Sequence, residues 1–221
     1  SKIKTIGYVH AFPAGLPTNY IFRDGSPEKL IVSGDDQHYC FKKYLNWTSS
    51  QLKILPSARY SKISENMSGY IYLPWDLPST DIIIKSLQNL ISNNKDKDVA
   101  NLVVKNHPLA KNQNSKKHLK IIREINNLLL KHKNSSLEDS YKNKLSIFIG
   151  STSSLIEALE RGVEVMHICD DPVFQIYSSA LWPSIKVKKI DENTYEYQLL
   201  KKGNLIQLGD SSKTFQEGYL N

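Results

Sequence analysis

The sequence predicts an α/β fold, a mostly parallel sheet flanked by helices and finished by a hairpin-like tail. Three observations predict it. Short β-branched and aromatic runs alternate with stretches of helical period, several of those runs are apolar throughout, and a period of two appears only near the C-terminus. Strands that are apolar on both sides are strands covered on both faces. That is the pattern of a parallel sheet between helices.

The elements follow in order. Lys4–Phe12 is apolar and rich in aromatic and β-branched residues, and it runs into Pro13, Gly15 and Pro17, so it reads as a strand ending in a loop. Lys29–Gly34 is a second strand, introduced by the turn residues Asp24-Gly25-Ser26-Pro27. Tyr39, Phe41, Tyr44 and Leu45 are spaced as in a helix between Asp36 and Trp47, and Leu52–Leu55 is a third strand.

Gly69–Pro74 is the next strand. Ser79 or Thr80 can cap a helix that places Ile83, Ile84, Leu87, Leu90 and Ile91 on one face. Ala100–Pro108 is a strand that Pro108 stops, leaving His107 at its carboxyl end. A Lys-rich helix over Lys116–Lys131 carries the stripe Leu119, Ile122, Ile125, Leu128 and Leu129. Ile147–Met166 then reads as strand, polar turn, amphipathic helix and strand, and Val163–Cys169 ends in the turn Asp170-Asp171-Pro172. The segments Ser184–Ile190 and Thr194–Leu200 alternate around Asp191-Glu192-Asn193 as a hairpin does. Residues 199–221 carry no clear pattern.

At 221 residues the chain has length for one large domain or two small ones. The expectation is a Rossmann-like domain over residues 1–185 and a tail over 186–221 that packs on it or on a preceding domain. Ser1 in first place, where a complete chain has Met, is the reason to expect such a preceding domain.

Lys and Arg number 29 against 22 Asp and Glu, a net charge of +7, but arginine supplies only Arg23, Arg59, Arg123 and Arg161. Without an arginine-rich helix or an RNA-binding aromatic strand, nucleic acid is not an expected partner. The surplus lysines sit in polar stretches, where they read as solvated faces; they also suit peripheral contact with an anionic membrane leaflet. No apolar run approaches the roughly eighteen residues of a membrane span. Cys40 and Cys169 have no metal-ligand spacing and give no disulfide framework, which points to a reduced, cytoplasmic compartment.

In an open parallel sheet, ligands bind beyond the carboxyl ends of the strands. That geometry selects His10, Pro74–Ser79, His107, Gly150–Ser154 and Asp170-Asp171. Gly150, Ser151, Thr152, Ser153 and Ser154 combine hydroxyls with the open N–H groups of a helix N-terminus, an environment for phosphate. Ser154 and Glu157 also fit a capping box, although one cap does not need four hydroxylated residues. No lysine follows at Walker spacing, which argues against an ATP-hydrolysing P-loop. His107 suits a donor to a departing oxygen, His10 has the same kind of location, and Glu157 suits a ribose diol. Asp170 and Asp171 read as a turn rather than a metal pair, and His38, His118 and His132 as surface residues.

KNHP at a strand end, followed further on by FIGSTSSLIEALERGVEV, resembles the nucleotide-binding C-terminal domain of GT-B glycosyltransferases, with sialyl-, polysialyl- and capsule-type bacterial enzymes nearest. The resemblance runs from about Lys4 to Trp182. It implies that His107 and Ser151–Ser154 hold the phosphate of a nucleotide-sugar donor such as a CMP-sugar, and that Glu157 holds its ribose. Gly162 would turn the helix into the next strand, and His10 would be a cleft residue. The implied function is the donor half of an inverting transferase of surface-polysaccharide or lipopolysaccharide synthesis. No cofactor beyond the co-substrate is implied and no divalent metal is required. The family's acidic-Gly motif, which supplies the general base, has no counterpart here, so a glycan or lipid-linked acceptor and the base are expected from another domain. Two rivals share the cleft: a glycerophosphate- or ribitol-phosphate-type transferase, and a sugar-nucleotide epimerase. A third is a non-catalytic anion-binding module.

Overall fold

The computed structural model describes residues 4–60, 66–93, 99–111, 115–133 and 144–209. It is an α/β structure in which all but the last two strands run parallel. The chain divides into two compact units. Unit 1 comprises residues 1–65, 177–186 and 199–221, and unit 2 comprises 66–176 and 187–198. The division at Glu65 and Asn66 falls inside the stretch expected to be one domain over 1–185.

Unit 1 is built on a three-stranded parallel sheet of β1 (Ile6–Tyr8), β2 (Lys29–Val32) and β3 (Leu52–Ile54), with β2 in the middle. Leu30, Ile31 and Val32 are all buried, as the apolar run predicts for a strand covered on both faces. Helix α1 (Asp35–Tyr44) connects β2 to β3 and buries Cys40 and Phe41. Strand β1 is shorter than the Lys4–Phe12 run, because Phe12 leaves the sheet to pack its ring 4.3 Å from that of Trp182. Trp182 is fully buried and its indole N–H donates to the Ala14 carbonyl at 3.0 Å, so residues 177–186 are anchored in this unit.

The same unit takes back the chain after Leu199. The buried Asp36 carboxylate accepts from the Ser184 N–H at 2.8 Å and its hydroxyl at 2.7 Å. The Asp36 N–H donates to the Asn204 carbonyl at 3.0 Å, and the Gln207 N–H to the Ser33 carbonyl at 2.7 Å. The returning segment therefore lies directly on Gly34. A β-carbon there would fall 2.3 Å from the Asn204 oxygen and 2.4 Å from the Leu205 oxygen. Both neighbours are backbone atoms of a packed segment, since Leu205 and Ile206 are fully buried. Residues 210–221 of the unassigned tail lie outside the described residues.

Unit 2 holds a six-stranded sheet in the order β5-β4-β6-β7-β9-β8. Its strands are β4 (Tyr70–Tyr72), β5 (Val103–Lys105), β6 (Leu145–Ile149), β7 (Glu164–Ile168), β8 (Ile185–Asp191) and β9 (Thr194–Leu199). The first four are mutually parallel, and β9 pairs antiparallel with β7, so the expected hairpin closes one side of the sheet. Helices α2 (Thr80–Asn93) and α3 (Ser115–His132) share one core with alternate residues of the strands: Ile71 of β4, Leu145, Ile147 and Ile149 of β6, and Met166 and Ile168 of β7. The intervening residues face the other way. There Phe148 stacks on Tyr72 with ring centroids 4.7 Å apart and planes within 5°. Two further helices, α4 (Ser154–Glu160) and α5 (Pro172–Gln175), follow β6 and β7. The Asp170-Asp171-Pro172 turn forms as expected, with Asp171 capping α5 through the N–H groups of Val173 and Phe174.

The buried face of α3 differs from the expected stripe. Leu119 is 59% exposed, whereas His118 is 1% exposed and continues the line through Ile121, Ile125 and Leu128. His118 is therefore a core residue, contrary to its reading as a surface one. Its ring Nε2 lies 3.0 Å from the Pro74 carbonyl, and because a carbonyl only accepts, that nitrogen carries the proton. A satisfied polar group can occupy a core position that a hydrophobicity pattern reserves for leucine. His132 is exposed and His38 half-buried.

The Gly34 contact generates a stability prediction. Gly34→Ala should lower the urea midpoint of unit 1 by the equivalent of about 1–3 kcal/mol, the usual cost of forcing atoms into a packed site. Gly15→Ala, where nothing lies within 4 Å, serves as the comparison and should leave the midpoint nearly unchanged.

Candidate functional site

In unit 2 the connections from β4 and β6 leave in opposite directions along the sheet, to β5 and to β7. The carboxyl ends of these two neighbouring strands thus mark a topological switch point, where open α/β sheets form a crevice. The loop Pro74–Ser79 leaves β4 there, and the turn Gly150–Ser154 leaves β6. On one flank β5 ends in Asn106-His107-Pro108, and on the other β7 ends at Asp170.

The loop after β4 reaches from the β5 flank to the Gly150 turn. The Trp75 ring meets the His107 imidazole edge-on, with centroids 5.9 Å apart and planes at 67°. Farther along the same loop, Pro74 and Pro78 close on Gly150: a β-carbon at Gly150 would lie 3.1 Å from Pro74 Cγ and 3.4 Å from Pro78 Cγ. Gly150 also has φ +62°, a conformation that L side chains rarely adopt. Glycine is required at this corner on both counts. The loop itself is tied to α3, because His118 donates to Pro74 and the Lys117 ammonium donates to the Leu77 carbonyl at 3.2 Å.

The Gly150 turn is held from below by a residue that sequence reading missed. His167, in the middle of β7, is wholly buried; its Nε2 donates to the Gly150 carbonyl at 2.7 Å, and its Nδ1 lies 3.2 Å from the Tyr197 hydroxyl. The Gly150 N–H is taken by the Ile168 carbonyl at 2.8 Å. Burial pushes the His167 pKa down from 6.5 to about 4, against the opposing pull of the Gly150 carbonyl. The ring is neutral at pH 7, so Nδ1 is free to accept from Tyr197. The signal was present in the sequence: in VEVMHIC, His167 is two residues from Val165, on the face opposite Met166 and Ile168.

With the turn fixed, Ser151 is exposed and Thr152, Ser153 and Ser154 are half-buried. Ser153 stands at the N-cap of α4 without a side-chain capping bond, and the Ser154 N–H approaches Thr152 Oγ1 at 3.3 Å. The expected capping box between Ser154 and Glu157 does not form. Arg161 takes the Glu157 carboxylate instead, with Nη2 at 2.9 Å and Nε at 3.0 Å from the same oxygen, Oε1. Both bonds fall on one oxygen, so Oε2 keeps its capacity to accept.

His107 is half-buried beyond β5, where its N–H is bonded by the Asn106 side chain at 2.9 Å and its carbonyl by the Ala110 N–H at 3.0 Å. The structure therefore brings His107, Gly150–Ser154 and Glu157 to one end of one sheet. His10 is an exposed residue of unit 1, just beyond β1, and is not part of this group in unit 2. Asp170 accepts from the Gln175 side chain at 2.8 Å.

Among the described residues no group of three or more His, Cys, Asp or Glu is arranged to hold a metal ion, and no helix is long and apolar enough to cross a membrane. Cys40 and Cys169 are free and buried, and burial raises their thiol pKa values to about 11 and about 12. No protein-family model, curated protein or solved structure matches this chain.

The buried imidazole predicts a pH dependence with a definite sign. Between pH 6.5 and about 4 the unfolded chain binds a proton at His167 that the folded chain does not, so stability falls as pH falls, by about 1.4 kcal/mol per unit. Over that window the loss is on the order of 3 kcal/mol, and above pH 6.5 the contribution is constant. His167→Gln keeps an N–H for Gly150 but cannot titrate. Thermal melts should show the variant less stable than the parent at pH 7, with the gap narrowing steadily toward pH 4.5; parallel profiles would contradict the assignment.

Proposed function

We propose that unit 2 binds the nucleotide part of an activated sugar and that the chain is the donor-binding portion of an inverting GT-B-type glycosyltransferase. The observation that carries this reading is the convergence at the switch point of His107, the Gly150–Ser154 turn and Glu157. Each group suits one part of such a donor. The hydroxyls of Ser151–Ser154 and the N–H groups of the turn suit a phosphate, the Glu157 Oε2 suits vicinal ribose hydroxyls, and the exposed indole edge of Trp75 beside His107 suits a planar base or sugar face.

The reaction is a displacement at the anomeric carbon. An acceptor hydroxyl forms the new C–O bond as the bond from that carbon to the phosphate oxygen breaks, and the electron pair leaves on the nucleotide. His107 donates to that oxygen while the turn stabilises the growing charge. The acceptor proton passes to a general base that is not among these residues. Because hydroxyls, backbone N–H groups and an imidazole all act on the leaving group, the scheme needs no metal ion.

Thermal-shift measurements with CMP, UDP, GDP and inorganic phosphate test the reading. One nucleotide at millimolar concentration should raise the Tm by a few degrees, the size that ligand linkage gives at a large excess over Kd. The shift should be lost in His107→Ala and in the double variant Ser153→Ala/Ser154→Ala. An equal shift from inorganic phosphate would favour an anion-binding module, and no shift with any nucleotide would remove the donor reading.

A further inference from the structure

Unit 1 contains a cavity that the donor reading does not use. It is a half-open hollow of about 430 Å³, lined by the aromatic residues Tyr8, Tyr20 and Trp47 together with Asn19, Arg23 and Asp24. That volume is within the roughly 300–1,000 Å³ of small-molecule sites. Arg23 and Asp24 belong to the turn that leads into β2, and Trp47 precedes β3. The cavity therefore borders the amino-terminal end of β2 and reaches Tyr8, the last residue of β1.

Its walls are fixed in advance. The Trp47 indole N–H donates to the Tyr20 carbonyl at 2.7 Å, its ring meets Phe22 edge-on at 5.0 Å, and Tyr20 packs 5.6 Å from Phe41. The polar turn is fixed as well: the Arg23 N–H donates to Ser26 Oγ at 3.0 Å, the Ser26 N–H returns to the Arg23 carbonyl at 2.9 Å, and Gly25 supplies the φ of +87° that closes it. The side chains of Asn19, Arg23 and Asp24 make no hydrogen bond or ion pair with other described residues, although Arg23 and Asp24 are adjacent and opposite in charge.

We propose that this cavity binds a saccharide unit. The donor and acceptor inventory of its rim selects the ligand class. A guanidinium only donates, a carboxylate only accepts and an amide does both. An anionic ligand would satisfy Arg23 and face the charge of Asp24, and a cationic ligand would meet the reverse. A ring bearing several hydroxyls donates to Asp24, accepts from Arg23 and exchanges both with Asn19, while its C–H face lies on the aromatic walls. The inference does not depend on nucleotide binding in unit 2, since every lining residue belongs to unit 1.

Saturation-transfer-difference NMR on the full chain tests it, with glucose, galactose, N-acetylglucosamine and lactose as probes and cytidine as the comparator, each at millimolar concentration. At least one saccharide should show transfer to its ring protons. That signal should fall several-fold in Asn19→Ala/Asp24→Ala, whose two positions are exposed, with an unchanged circular dichroism spectrum confirming the fold. It should persist in His107→Ala, which separates this site from the one in unit 2. No transfer to any of the four sugars, a signal that the double variant leaves intact, a signal lost in His107→Ala, or cytidine occupying the cavity in their place would each overturn the proposal.

Discussion

The geometry of the unit 2 site depends on one hydrogen bond, from the buried His167 imidazole to the Gly150 carbonyl. Gly150 is where β6 stops being a strand, and its carbonyl points back beneath the sheet edge only because a donor waits for it there. Without that donor a buried carbonyl would lose the hydrogen bond it makes to water in the unfolded chain, at a cost of about 1–3 kcal/mol. With it, the chain reverses at φ +62° and delivers Ser151 to Ser154 beyond the strand end. Burial, working against the pull of this bond, keeps the ring neutral, which ties the shape of the turn to the exclusion of water from the sheet interior.

The loop after β4 is held in the same way. His118 and Lys117, both from the first turn of α3, donate to the carbonyls of Pro74 and Leu77. Proline-rich loops have few N–H groups with which to bond themselves, so their carbonyls are satisfied from outside or by water. Here side chains do it, and they do it from a helix that is itself anchored in the core by Ile121 and Ile125. The rigid part of unit 2 thus extends through the helix into the loop that stands between His107 and Gly150.

The alternation of strands and helices was legible because both faces of the sheets are covered, which leaves apolar runs such as Leu30–Val32 and Ile147–Ile149 and an unmistakable Pro108 after β5. Strand ends were less so. Phe12 and Leu102 are as apolar as true strand residues, yet they are buried by packing outside the ladder. His118 and His167 escaped for a single physical reason: a histidine with its hydrogen bonds met behaves as a core residue, and nothing local announces whether a partner carbonyl is present. The segment after Leu199 was illegible because Leu205 and Ile206 are buried by contacts with Ser33, Gly34 and Asp36, far away in sequence, and show no period of their own. Glu157 was read through its position on α4, and Arg161, one turn further on, was the overlooked neighbour that holds it.

Burial separates the three histidines at this end of unit 2 into two kinds. His118 and His167 are sealed from solvent and each spends an N–H on a main-chain carbonyl, so both rings are committed to the loop or turn that they hold. His107 sits on the same sheet edge but is half-buried, after a strand and before a proline, with its main chain tied on both sides by Asn106 and Ala110. A ring in that position is aimed by its backbone while remaining accessible. Under the proposed donor reading, a group held in direction and reachable from solvent is what a proton donor to the leaving group requires. Residue type alone would not have distinguished His107 from the other two. The distinction lies in which carbonyls the sheet edge leaves in need of a donor: those of Pro74 and Gly150 are answered by the two buried rings.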